Sequence, residues 1–101
     1  MDKVYKNLEE IRSILKANNY SEGFRIEEKE FEYIRDRYHR LCFDNNVIQE
    51  VVVSYKQGEY EVYFLLQGRK SESLVHYGYN KLSFKKLKEK VAQGIFLNNS
   101  K

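Results

Sequence analysis

The dipeptide Gln57-Gly58 most constrains the fold, because it separates two runs that are rich in β-branched and aromatic residues. Two-residue hairpin loops need positive backbone φ angles, which glycine adopts without strain. A loop at this position pairs Lys56 with Glu59 and Val53 with Val62. One face of the hairpin then carries Val47, Val51, Val53, Tyr55, Tyr60, Val62, Phe64 and Leu66, interrupted by Gln49. A slip of one residue would turn this apolar set to the other face, so the pattern predicts this register.

A third strand is predicted beyond a wider turn from Gly68 to Ser71. Continuing the ladder places Val75 beside Phe64 and Tyr77 beside Val62, on the same apolar face. The opposite face is polar near the first turn, but its other end carries Ile48, Val52, Tyr63, Leu65, Leu74 and His76. A solvated sheet face normally shows polar residues throughout, so we expect either the chain's own helices or a partner to cover this end. The helices are favoured, because a small domain needs most of its apolar side chains for its own core.

Three segments around this meander have helical periodicity. The first runs from Asp2 to Asn19, with apolar residues Val4, Leu8, Ile11 and Leu15. The second runs from Glu27 to Asp44, with Phe31, Ile34, Tyr38 and Leu41; a strand is the weaker interpretation there, because alternation fails in the second half. The third is capped by Ser83, buries Phe84, Leu87 and Val91, and ends at Gly94. The predicted α+β order is α-α-β-β-β-α: two N-terminal helices, a three-stranded antiparallel meander and a C-terminal helix.

The composition indicates one soluble domain that spans residues 1–101. The hydrophobic fraction is 42% and the charged fraction 33%, and no apolar run approaches the roughly 18 residues of a membrane span. The N-terminal stretch lacks the apolar segment of a signal peptide, and Cys42 is the one cysteine. We therefore expect a cytoplasmic protein without disulfides and without a membrane partner.

Residues suited to catalysis or metal binding are few. The candidates for a zinc site are His39, Cys42 and His76, whereas such a site needs three or four ligands in tetrahedral geometry. Burial as a small apolar side chain is the simpler interpretation of Cys42. The glycines of the meander stand singly rather than in a phosphate-binding loop. We predict no metal, no cofactor and no enzymatic activity.

Basic side chains are concentrated in the second half of the chain. Residues 1–50 contain nine basic and eleven acidic side chains, and residues 51–101 contain nine and four. Those that could follow a phosphate backbone are Arg69, Lys70, Lys81, Lys85, Lys86, Lys88 and Lys90. A lysine-rich helix is also typical of an ordinary solvated surface. The sequence pI of about 8.9 is just below the value common in nucleic-acid-binding domains.

The predicted order over residues 27–94 is similar to that of double-stranded RNA-binding domains. The residues that carry this resemblance are Ser83, Lys85, Lys86 and Lys88, which follow Gly78. The resemblance implies RNA binding at the start of the last helix. The two-residue turn at 57–58 departs from the longer loop that this family places in the minor groove, and the first helix is additional, so the sequence does not establish membership.

Two functional hypotheses follow. In the first, the chain is a protein-binding module of inhibitor, immunity or adaptor type that contacts its partner through Tyr63, Leu65, Leu74 and His76. In the second, it is a nucleic-acid-binding accessory protein that uses the lysine-rich C-terminal helix. The first is favoured, because a net charge of +3 is modest for a nucleic-acid binder.

Overall fold

The computed structural model describes residues 1–42, 47–67 and 73–99, with side chains except at positions 42, 47, 67, 73–76 and 96–99. Helix α1 (Asp2–Ala17) precedes five strands, and helix α2 (Phe84–Asn99) follows them. The strands are β1 (Ser21–Glu28), β2 (Tyr33–Cys42), β3 (Val47–Lys56), β4 (Glu59–Gln67) and β5 (Ser73–Leu82), and the 3-10 helix Lys29–Phe31 separates the first two. They form one antiparallel sheet in the order β1-β2-β3-β4-β5.

The predicted β3-β4 hairpin is confirmed. Lys56 pairs with Glu59 and Val53 pairs with Val62, as the apolar pattern requires. The turn has φ angles of 49° at Gln57 and 95° at Gly58, both positive, as two-residue hairpin loops that match the strand twist need.

The predicted second helix, and with it the order α-α-β-β-β-α, is wrong. Residues 33–42 form β2, which pairs with β3 along its whole length, and residues 21–28 form β1 at the edge of the sheet. The alternation in β2 was obscured because two inward positions are polar. Asp36 is bound by Arg25, and Arg40 is bound to Gln49, so both polar groups are satisfied on the inner face. Five strands between the helices also remove the basis of the resemblance to double-stranded RNA-binding domains.

The predicted register between β4 and β5 is wrong by two residues. Tyr77 pairs with Phe64 instead of Val62, and Gly78 pairs with Tyr63. This register stacks the rings of Tyr77 and Phe64 with centroids 5.1 Å apart, and it places a residue without a side chain under Tyr63. A shift of two residues keeps each side chain on its predicted face. The predicted turn from Gly68 to Ser71 lies outside the described residues.

Both helices pack on one face of the sheet, which we call the inner face. Leu8, Ile11 and Leu15 of α1 and Leu87, Val91 and Ile95 of α2 share one buried cluster with the inward side chains of β2, β3 and β4. The expectation that the chain's own helices also cover the opposite face is therefore wrong. Among the described residues, no helix lies on that second face, which we call the open face.

Helix α2 begins as predicted but extends further. The backbone N–H of Lys86 donates to Ser83 Oγ at 3.2 Å, so Ser83 is the N-cap, and Leu87 and Val91 are fully buried. The prediction that Gly94 ends the helix is wrong, because α2 continues to Asn99. A Cβ on Gly94 would overlap the ring of Phe64, so this glycine lets the helix approach β4 closely.

Candidate functional site

The open face is built from the outward side chains of all five strands, arranged in rows across the sheet. One row contains Ile26, Arg35, Ser54 and Glu61, and the next contains Arg37, Val52, Tyr63 and Gly78. A third row contains Ser21, His39, Glu50 and Leu65. Because adjacent strands lie roughly 4.8 Å apart, each row spans about 20 Å from β1 to β5. The rows form a rigid surface made of strand residues.

The centre of the open face is apolar and closely packed. Val52 and Tyr63 are a cross-strand pair, and both are partly buried, as is Leu65. The ring of Tyr63 lies across Gly78, where any Cβ would overlap it. Such packing fixes the ring without a helix above it. An aromatic side chain held in one orientation has little conformational entropy to lose on binding, which suits it to be an anchor.

Large apolar side chains at the margins of the open face are exposed. Phe24 is 88% exposed at the bulge where two β1 residues oppose Arg37, and Ile26 on the same strand is 40% exposed. At the other end, Leu41 and Ile48 form a cross-strand pair, 46% and 40% exposed. These side chains and the Val52-Tyr63-Leu65 centre make one mixed apolar surface. Exposed apolar side chains grouped on one face in this way are typical of interaction sites.

Charges on the open face are separated by strand. Arg35 and Arg37 project from β2, while Glu50 projects from β3 and Glu61 from β4. Within the described part of the chain, none of these four forms an ion pair. The Arg35 Nε is buried and has no hydrogen-bond partner there. Arg35 and Arg37 therefore lie on one side of β3 and Glu61 on the other, while β3 itself carries Glu50 and Lys56.

The structure places two of the four predicted contact residues on this face. Tyr63 and Leu65 lie on β4 as expected. Leu74 and His76 belong to β5, where His76 pairs with Leu65, but their side chains lie outside the described residues. Arg35 and Arg37 were missed because residues 27–44 were predicted as a helix, and Phe24 and Ile26 were missed because their strand pairs only with that segment. The sequence signal for β2 was the alternation of its outward residues with the inward ones, at Tyr33, Arg35, Arg37 and His39.

The predicted lysine surface is dispersed and largely engaged within the chain. Lys88 Nζ lies 2.8 Å from Glu10 Oε2, and Lys90 Nζ lies 4.3 Å from the ring centroid of Tyr79. Lys86 Nζ lies 3.3 Å from Glu89 Oε2. Lys81 and Lys85 are exposed. Arg69 and Lys70 lie outside the described residues, so the structure does not show them beside the helix.

A polar cleft of about 270 Å³ lies between α1 and the first two strands, and its charged side chains other than Arg37 are paired. Arg12 donates to Glu22 at 2.7 Å and to Glu9 at 2.6 Å, and the hydrogen bond from Arg12 lowers the pKa of Glu22. Arg25 donates to both carboxylate oxygens of Asp36, at 2.7 and 2.9 Å. These pairs join α1 and β1 to the sheet. Their geometry is that of a structural network rather than a ligand site.

A second polar network on the inner face fixes the end of α1. Arg40 donates to Gln49 Oε1 and to the carbonyl oxygen of Asn18, each at 2.9 Å, and its guanidinium lies 4.5 Å from the ring centroid of Tyr20. Tyr20 also donates to Gln49, at 3.2 Å. A cation beside the last carbonyls of a helix is favourable, so this network explains a buried glutamine and an inward arginine.

Among the described residues, no group of three or more metal-ligating side chains comes together. Cys42 is in β2 but its side chain lies outside the described residues, and His39 is on the open face. None of the helices in the described part of the chain has both the length and the apolar character needed to span a membrane. Comparison of the chain with protein-family models, curated proteins and solved structures gave no match.

Proposed function

We propose that this chain is a small non-catalytic protein-binding module, of inhibitor, immunity or adaptor type, which acts through the open face of its sheet. The observation that carries the proposal is the location of the exposed apolar side chains. Phe24, Ile26, Leu41 and Ile48 lie around the rigid Val52-Tyr63-Leu65 centre, on the face that no described helix covers. Aromatic and arginine side chains are enriched in protein interfaces, and Arg35 and Arg37 lie on the same face as Tyr63, two strands away.

The nucleic-acid alternative draws less support from the geometry. Lys86, Lys88 and Lys90 each contact another side chain of the same protein, so phosphate binding would have to replace those contacts. Lys85 is left as an exposed cation on the helix, and it is therefore the residue to alter when this alternative is tested.

The test compares two surfaces of the same folded protein. Tagged wild type, Tyr63→Ala/Leu65→Ser, Phe24→Ser/Ile26→Ser and the helix variant Lys85→Ser/Lys86→Ser are used to capture partners from the source cell under cross-linking. Phe24 is 88% exposed, so the second variant leaves the core intact even if the first fails to fold. We expect both sheet variants to lose the same protein and the helix variant to retain it.

Two outcomes would overturn the proposal. One is that folded sheet variants retain every captured partner. The other is that the helix variant alone loses its partner and that this partner is DNA or RNA, with an affinity that falls steeply as salt is raised.

A further inference from the structure

We propose that the partner which fits the open face is a second copy of this chain, docked face to face about a twofold axis that runs along β3. This inference rests on the proposed function, since it names the protein that the open face binds. The inference is based on complementarity between the two copies. When one copy is related to the other by this twofold axis, oppositely charged side chains of the two open faces come together.

The order of the strands makes the rotation specific. Strand β3 is central, with β2 and β1 on one side and β4 and β5 on the other. A twofold axis parallel to β3, between the two sheets, places β2 of one copy over β4 of the other and β1 over β5. Residues of the same row remain at the same level along the axis. Such an aligned packing of two sheets, about 10 Å apart, is one of the common arrangements in proteins.

This rotation brings opposite charges together. Arg35 and Glu61 are in the same row, on β2 and β4, so each Arg35 faces Glu61 of the other copy. In the next row, Arg37 faces the ring of Tyr63, an arrangement that favours a cation–π contact. Each contact occurs twice in the dimer, as an isologous interface requires. Arg35, Arg37 and Glu61, which form no ion pair within the described chain, thus find partners.

The same rotation also matches a protruding side chain to a hollow. Phe24 stands opposite Arg37 on β1, and Gly78 is in the same row on β5. A depression of about 310 Å³ is lined by Tyr63, Gly78, Tyr79, Asn80 and Leu82. The exposed Phe24 ring of one copy therefore faces the depression at the edge of the Tyr63 ring, which lies across Gly78, of the other. Docking there would remove the most exposed aromatic side chain from water.

A twofold axis perpendicular to the strands does not fit. Such an axis would place each strand over the same strand of the other copy. When the axis passes through the row of Val52, Arg37 faces Arg37 and no arginine faces a glutamate. Like charges placed together across an interface are strongly unfavourable. Of these two axes, the charge pattern therefore favours the one along β3.

The axis along β3 has two electrostatic costs, one at Lys56 and one at Glu50, both outward residues of β3. Glu50 is on β3, so the axis brings the two Glu50 side chains toward each other. His39 neighbours Glu50 in the same row and is the nearest group able to offset the repulsion. Removing the negative charge of Glu50 should therefore strengthen the dimer, while reversing Arg35 should weaken it.

The decisive experiment is charge-swap complementation followed by sedimentation velocity and light scattering over a range of concentrations. We expect wild type to be a dimer, and Arg35→Glu or Glu61→Arg alone to raise its dissociation constant by roughly tenfold or more. An equimolar mixture of these two variants should dimerise again, because residue 35 of each then faces residue 61 of opposite charge. The double variant R35E/E61R should dimerise by itself. Glu50→Gln should lower the dissociation constant, and the control Lys85→Glu should leave it unchanged.

The failure of this inference differs from failure of the proposed function. A wild type that stays monomeric, or charge variants that fail to complement each other, overturns the twofold dimer while capture of a different protein through the open face still stands. Loss of dimerisation in Lys85→Glu as well as in Arg35→Glu also overturns it, because the effect would then not depend on the open face. Folded Tyr63→Ala/Leu65→Ser and Phe24→Ser/Ile26→Ser variants that keep all partners, the second copy included, overturn both.

Discussion

Gly94 is important because it has no side chain. It lies in α2 against the ring of Phe64, which is buried on β4 and stacked on Tyr77. Glycine inside a helix costs about 1 kcal/mol relative to alanine, so the position is justified only by the close contact between helix and sheet. Sequence periodicity favours a helix end at such a glycine, and it contains no information on the ring that faces it.

Gly94→Ala should therefore destabilise the protein even though alanine is the better helix former. Overpacking of this kind costs roughly 1 to 3 kcal/mol, more than the gain in helix propensity. Urea denaturation provides the free energy of unfolding, and Gln93→Ala, at an exposed neighbouring position, is the matched control with little expected effect. An increase in stability of Gly94→Ala would show that α2 does not approach β4 so closely.

Tyr38 links burial of one residue to pH dependence. It is 2% exposed, and burial raises the pKa of its hydroxyl above the ordinary value of 10.0. Burial also raises the pKa of Tyr60 and Tyr77. In the unfolded chain these groups ionise near pH 10, whereas in the folded chain they stay neutral to higher pH. Their contribution to stability is thus fully present below pH 10 and is lost as pH rises above it.

Tyr38→Phe should flatten this alkaline loss. Phenylalanine cannot ionise in the unfolded chain, so the variant's free energy of unfolding should fall less steeply above pH 10, by up to about 1.4 kcal/mol per pH unit. Urea titrations of both proteins from pH 7 to pH 11.5 measure the difference. Parallel curves would mean that the hydroxyl of Tyr38 ionises in the folded protein as easily as in the unfolded chain.

At the scale of elements, how much the sequence predicts depends on where polar side chains point. The β3-β4 hairpin follows from the sequence, because its inward positions are apolar apart from Gln49 and its turn is short. Helix α1 follows too, since Leu8, Ile11 and Leu15 recur at helical spacing and are buried. Strand β2 does not follow, because Asp36 and Arg40 occupy inward positions and find their partners on other strands.

The sequence likewise predicted only part of the candidate site. Tyr63 and Leu65 were found because they alternate with core residues of the hairpin. The outward residues of β1 and β2 depend on pairings between distant segments, and local periodicity does not encode them. The inward Asp36 obscures the alternation of β2 in the sequence. In the structure it pairs with Arg25 on the neighbouring strand, so the same residue attaches β2 to β1.

Removing one partner of this pair should cost more than removing the other. The side chain of Asp36 is 7% exposed and that of Arg25 is 37% exposed. Arg25→Met leaves a buried carboxylate without its donor, which costs about 1 to 3 kcal/mol, whereas Asp36→Asn leaves an arginine that can reach water. Urea denaturation at pH 7 of both variants and of Arg25→Met/Asp36→Asn provides the comparison. An equal loss in the two single variants would contradict a buried Asp36.

On the scale of the whole molecule, the two ends of the chain meet on the inner face. Helices α1 and α2 share the buried cluster with the sheet, and Glu10 and Lys88 connect them at 2.8 Å. An exposed ion pair contributes little, so the shared apolar cluster rather than this contact joins the ends. With both helices on one side, the outward side chains of all five strands remain for binding. The placement of α1 and α2 thus determines which surface the proposed function uses.

Ile11→Ala tests whether helices and sheet unfold together. Ile11 is fully buried in the shared cluster, so its truncation should cost about 2 to 5 kcal/mol. The chain has nine tyrosines and no tryptophan, so tyrosine fluorescence reports mainly on the sheet, while circular dichroism at 222 nm reports mainly on the helices. If the ends of the chain are coupled through the cluster, both signals should shift to the same lower urea midpoint in the variant. Lys6→Ala, at an exposed position of the same helix, serves as the control with a small effect. A variant in which the helical signal is lost first, while the tyrosine signal keeps the wild-type midpoint, would show that α1 is not an integral part of the folded core.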